Sequence, residues 1–177
     1  MVRYSSRKIR HYLSQSDKAT TNTGKGQALE DLICYILEKV PGVKVIDRNV
    51  LSAFDDEEID VLFWNSRDNE GFGFLPCTFA VECKSWSRSV GSRAVSAFQS
   101  TLKSRGCEYG ILVATNGISG TSNPPTEAHH KIAVALSEMF HILVVTREEI
   151  EALRDTNDLI QLLQQRICEL ARKATAL

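Results

Sequence analysis

Apolar and polar positions alternate along this chain in two rhythms. Leu29, Leu32, Ile33, Ile36, Leu37 and Val40 recur every three or four residues, which predicts a helix from about Gly26 to Val40, stopped by Pro41-Gly42. The next apolar runs are short and bounded by turn residues: Val43 to Leu51, Ile59 to Trp64, and Thr78 to Lys84. They read as strands, and the turn-rich stretch Asn65 to Gly71 makes the second and third a hairpin. A helix is predicted from Val90 to Lys103, then a buried strand from Tyr109 to Thr115. Asn123-Pro124-Pro125 opens a helix through Met139, and His141 to Val145 is a final strand. Thr146 with Glu149 suits a capping box, and Leu159, Leu163, Ile167 and Leu170 stripe a last helix over residues 158–172. Residues 1–23 are polar, with Ile9, Tyr12 and Leu13 offering one short docking helix. The order of elements is that of an α/β protein.

The strand Thr78 to Lys84 ends unusually. Period-two alternation puts Glu82 and Lys84 on one face, with Phe79, Val81 and Cys83 on the other. Desolvating a carboxylate and an ammonium costs several kcal/mol per ion, on the order of the gain from pairing them, so the pattern requires a reason. A cross-strand ion pair in a half-buried sheet is one. Asp60 favours another, because in the predicted hairpin it falls opposite the end of the third strand, beside Glu82 and Lys84. Two carboxylates converging with a lysine suit a magnesium-dependent phosphodiesterase: hard oxygen ligands hold the metal, and the ammonium steadies the attacking oxygen or the scissile phosphate.

Asp60 followed by Glu82-x-Lys84 resembles the PD-(D/E)xK nuclease superfamily, with Ile59 standing where the pattern has proline. The run Gly24-Lys25-Gly26-Gln27-Ala28-Leu29-Glu30 leads into the first predicted helix, and the order of elements follows the superfamily's. The chain is most similar to Mrr-like restriction endonucleases, over roughly residues 24–145. The resemblance implies a restriction-endonuclease-like core, α-β-β-β-α-β, with a mixed central sheet flanked by helices. It implies that Asp60, Glu82 and the backbone carbonyl of Cys83 bind Mg2+, with Mn2+ as a substitute. Lys84 then positions or deprotonates the water, and Glu30 holds a second metal or a water on the metal. Gln99 orients the lysine or a phosphate, and DNA is the substrate. A fused recognition domain is frequent among such enzymes, and none is evident here, so a separate recognition subunit is a candidate partner.

Composition narrows the classes without choosing among them. The chain has 177 residues, 43% hydrophobic and 24% charged, which suits one domain with a substantial core. No apolar run is long enough to span a membrane, and the N-terminus lacks a signal-peptide block, so a cytoplasmic location is expected. Cys34, Cys77, Cys83 and Cys107 sit in or beside apolar segments and read as reduced core thiols. His129-His130 lacks partner ligands, which excludes a zinc hydrolase, and Gly24-Lys25-Gly26 lacks P-loop spacing. Net charge is −1, yet Arg3, Arg7, Lys8, Arg10, Lys18 and Lys25 face only Asp17 in the first 25 residues. That basic segment reads as a solvated tail in preference to a phosphate-tracking arm.

Ser85, Arg88, Arg93, Lys103 and Arg105 are candidate phosphate contacts, and Trp86 is a candidate base contact set against a core-edge role. The division expected is a basic segment 1–23, a nuclease domain 24–150, and a C-terminal helix 151–177 that covers the sheet or pairs a homodimer. A non-catalytic nuclease-fold scaffold and a junction-resolvase-like nuclease, both reached through the resemblance, are the alternative readings.

Overall fold

The computed structural model describes residues 1–51, 58–120 and 127–174. Eleven elements follow in the order α1 (Ser6–Lys18), α2 (Asn22–Leu37), β1 (Val43–Leu51), β2 (Glu58–Asn65), β3 (Thr78–Lys84), α3 (Ser92–Arg105), β4 (Tyr109–Ala114), α4 (Glu127–Ser137), β5 (His141–Val145), α5 (Arg147–Ala152) and α6 (Thr156–Ala174). The strands form one sheet in sequence order, β1-β2-β3-β4-β5. β1, β2 and β3 are antiparallel neighbours. β3, β4 and β5 are parallel, because α3 and α4 carry the chain back between them. The result is the mixed, helix-flanked α/β sheet that the sequence predicts.

Alternation along the strands divides the interior into two layers. Phe63, Phe79, Val81, Cys83, Ile111 and Val113 face α1, α2 and α6. Ala80, Leu112, Ala114 and Ile142 face α3 and α4. Phe63 and Phe79, paired across β2 and β3, stack with ring centroids 5.2 Å apart. Gly110 has no side chain because Phe98 and Leu102 of α3 lie within 2.6–2.8 Å of where its Cβ would be.

Three expectations change. Residues 1–23 are not a solvated tail: Ser5 caps α1, which buries Ile9 and Leu13, while Tyr4 donates its hydroxyl to the Ile36 carbonyl at 3.1 Å. Three apolar side chains suffice to dock α1, and its basic residues stay on the wet face. The stripe on α6 is used within its own molecule, since Leu159 and Leu163 are buried in the core and Ile167 and Leu170 pack against it. It therefore gives no argument for a homodimer. Cys77 is exposed, in the turn that precedes β3, although Cys34, Cys83 and Cys107 are buried as expected. The start expected at Asn123-Pro124-Pro125 and most of the acidic loop expected at Ser52 to Glu58 lie outside the described residues.

If α1 is part of the core, Leu13→Ala will destabilise the protein by about 2–4 kcal/mol, as a buried leucine truncation does. Urea denaturation monitored by circular dichroism measures it, and a change within about 0.5 kcal/mol would return the segment to a surface tail.

Candidate functional site

The site is built where the ladder between β2 and β3 ends. Antiparallel pairing runs from Trp64↔Thr78 to Val61↔Val81. One further step brings Asp60 opposite Glu82, and a second would give the Cys83 N–H to the Ile59 carbonyl. The Asp60 carboxylate takes that N–H instead, with Oδ2 accepting at 2.6 Å. The strands turn here. Asn49, opposite Asp60 in the β1–β2 register, has the left-handed φ of 52°. Beyond it, Ile59 and Val50 pack into the α3–α4 layer, whereas Val61, two pairs earlier and so on the same face by alternation, faces α2. This reversal frees Asp60 to reach across to β3.

Glu82 and Lys84 come from the final residues of β3 and form an ion pair, both largely buried. Burial raises the proton affinity of Asp60, only partly offset by the Cys83 N–H and the Lys84 charge. Burial and the Asp60 charge together push Glu82 up to about 7. Burial alone would lower Lys84, yet the Glu82 carboxylate outweighs it and leaves the ammonium's pKa raised. Two acids thus crowd one lysine in a poorly solvated notch.

Glu30 joins from α2. Its side chain is only 9% exposed, burial raises its pKa against the Arg48 hydrogen bond, and the Asp60 charge adds to the rise. Arg48 is the partner that sequence reading missed. Its Nη2 reaches Glu30 Oε2 at 3.0 Å and its Nη1 reaches Asp31 Oδ1 at 2.7 Å. A bulge explains its direction. Val45 pairs with Phe63 but Asp47 pairs with Leu62, so Ile46 is an extra residue and Arg48, opposite Val61, turns to the α2 face. The signal available was Ile46, an apolar residue that breaks the alternation and lies half exposed.

Not every candidate converges. Gln99 is half-buried on α3, and among the described residues no hydrogen bond joins it to Asp60, Glu82 or Lys84. Lys103 pairs with Glu138 at 3.6 Å, and Arg105 donates to the Val50 carbonyl at 2.9 Å. Arg88 and Arg93 are exposed without an ion pair among the described residues. Trp86 is exposed, not a core edge, and Lys84 Nζ stands 5.7 Å from its ring centroid. Among the described residues no three His, Cys, Asp or Glu side chains cluster at metal-holding spacing, so His129-His130 builds no such site.

Two predictions follow from this electrostatic crowding. Glu82 is more basic in the folded chain than its ordinary 4.5, so its protonated form is the one the fold favours. Without metal, the Glu82 contribution to stability is therefore fully present below about pH 4.5 and is lost as pH rises through about 7, by up to about 3 kcal/mol. Glu82→Gln will flatten that fall in a series of melting curves, and an unchanged slope would refute it. Arg48→Ala, which strands the Glu30 carboxylate, will lower stability by about 1–3 kcal/mol, with Glu30→Gln in the same chain recovering part of it. Denaturant midpoints at neutral pH decide this, and no recovery would show that Arg48 acts only through Asp31.

Comparison with known proteins places the chain in a family. The family model Mrr_cat, described as a restriction endonuclease, matches residues 22–153, from the first turn of α2 to the end of α5. No curated protein matches the chain. The matched span holds Glu30, Asp60, Glu82 and Lys84 together with the whole sheet, and the chain belongs to the Mrr-type family of restriction endonucleases, PD-(D/E)xK nucleases acting on DNA.

Proposed function

We propose that the protein is a metal-dependent endodeoxyribonuclease whose centre is Asp60, Glu82 and Lys84. The observation that carries the reading is the buried pair of carboxylates at the end of β2 and β3, both made more basic by burial and both facing one lysine. A protein rarely holds two such charges close in a dry notch unless a cation completes them. Restriction-endonuclease-like domains typically use divalent metals, and the donor set here is all hard oxygen, which suits Mg2+ or Mn2+.

The residues that would hold the ion are Asp60, Glu82 and the Cys83 carbonyl. In the parallel β3–β4 ladder, Lys84 spends its carbonyl on the Thr115 N–H. Alternation turns the Cys83 carbonyl away from β4, to the side where its own N–H meets Asp60. The metal, when bound, supplies charge that stabilises the phosphorane-like transition state and acidifies the attacking water. Lys84 is a hydrogen-bond donor before it is a base: Glu82 holds it protonated, and an ammonium with a raised pKa is a poor proton acceptor near neutral pH. It positions the attacking oxygen or the scissile phosphate. Glu30, anchored by Arg48, lies close enough to bias Asp60 and is placed to orient water or a second ion. Gln99 is assigned the weaker role of orienting a phosphate from α3.

Arg88 and Arg93, both exposed, are the proposed contacts to the DNA backbone, and products carrying 5′-phosphate and 3′-hydroxyl ends are expected of this chemistry. We assign the enzyme to a cytoplasmic restriction or defence role, with DNA as partner and a separate subunit as the candidate source of target choice. The test is conversion of supercoiled plasmid, unmodified and methylated, with Mg2+ or Mn2+. Lys84→Ala and Asp60→Ala are each expected to slow cleavage by at least about a hundredfold while the far-ultraviolet spectrum is unchanged. Undiminished cleavage in either variant would overturn the assignment of the centre.

A further inference from the structure

Trp86 lies two residues beyond Lys84 with 39% of its surface exposed. A lone exposed aromatic is ordinary when its backbone is loose. This backbone is fixed. The Lys84 carbonyl accepts both the N–H and the hydroxyl of Thr115, each at 3.1 Å. The Trp86 carbonyl accepts the Asn116 amide at 2.5 Å and the Thr115 hydroxyl at 3.4 Å. Further on, the Val90 N–H donates to the Gly117 carbonyl and the Ser119 N–H to the Val90 carbonyl, each at 2.8 Å. The segment leaving β3 is thus laced to the segment leaving β4, which fixes the Trp86 backbone, and the exposed indole lies beside the Lys84 ammonium.

We propose that Trp86 is a stacking platform for an unpaired base next to the phosphate held at Lys84, so that DNA interrupted by a gap or an unpaired end is bound in preference to continuous duplex. The proposal rests on the nuclease reading above and names its substrate class. In continuous duplex both faces of every base are covered by neighbours, and only groove edges and the sugar–phosphate backbone are exposed. An indole face beside a phosphate-binding cation meets a base face only where that base has left the stack. The ring centroid stands 5.7 Å from Lys84 Nζ, so one nucleotide spans the phosphate and its base. Lys84 also steadies the electron-rich ring by a cation–π contact. Trp64 supplies a control, since its indole N–H donates to the Ser66 hydroxyl at 3.1 Å, at the far end of β2.

The chain has two tryptophans, so Trp64→Phe leaves Trp86 as the sole indole reporter. With Ca2+ replacing Mg2+, this variant is titrated with a twelve-nucleotide oligothymidylate, a relaxed covalently closed circular duplex, and the same circle carrying a single-strand gap. Quenching by the oligothymidylate and the gapped circle, but not by the closed circle, is expected. In the otherwise native chain, Trp86→Ala will bind the gapped circle about tenfold more weakly and leave affinity for the closed circle unchanged. Trp86→Phe will retain most of the difference. Equal quenching by all three DNAs, no quenching, or equal weakening on both circles would overturn the platform. Cleavage with Mg2+ separates the two readings: quenching without any cleavage overturns the nuclease and keeps the platform, whereas cleavage without selective quenching does the reverse.

Discussion

The hydrogen bond from the Cys83 N–H to the Asp60 carboxylate is the constraint on which the candidate centre depends. A β-ladder normally satisfies its donors with main-chain carbonyls, and here one rung is made by a side chain. That substitution ends the β2–β3 pairing at Val61↔Val81 and pins a carboxylate one step from Glu82. A buried N–H without a partner is costly, so the fold cannot easily lose Asp60's position. Among the described residues, no hydrogen bond engages Asp60's other oxygen. Structural necessity and placement of the candidate ligand coincide in one side chain.

Holding that carboxylate has electrostatic consequences that spread through three elements. Asp60 raises the proton affinity of Glu82 on β3 and of Glu30 on α2. Each acid has its own cation, Lys84 for Glu82 and Arg48 for Glu30. The two cations differ in kind. Arg48 is a planar fork shared by two carboxylates, which suits a fixed brace. Lys84 is a point charge on a flexible stem and can leave Glu82 for a phosphate without breaking a bidentate lattice.

Much of this arrangement was legible in the residues. β1, β3 and β5 begin and end where the apolar runs do, because short runs between strong turn residues admit few other readings. The Asp60–Glu82–Lys84 register followed from the hairpin between β2 and β3. What remained hidden depends on events that period counting does not register. The bulge at Ile46 moves Arg48 to the α2 face, and the positive φ of Asn49 reverses the faces beyond it. Ile9, Tyr12 and Leu13 marked α1 as a docking helix, but its basic residues were read as a solvated tail, because amphipathic helices with a narrow apolar stripe resemble polar tails until their partner surface is known. Gln99 was placed on the right helix, but sequence order does not say which way along a helix a side chain reaches.

The docking of α1 bears on how the chain reaches its folded state. The Val2 N–H donates to the Thr156 hydroxyl at 3.0 Å, and Arg147 clasps Asp17 with two bonds of 2.7 and 2.8 Å. These partners are separated by 154 and 130 residues, so their loops are among the longest the chain can close. During synthesis the first helix emerges long before α5 and α6 exist to receive it. Its full set of contacts waits until α5 and α6 have been made, and native topology of this non-local kind folds slowly. Closing those loops between α1 and the α5–α6 segment is therefore work left for late in folding.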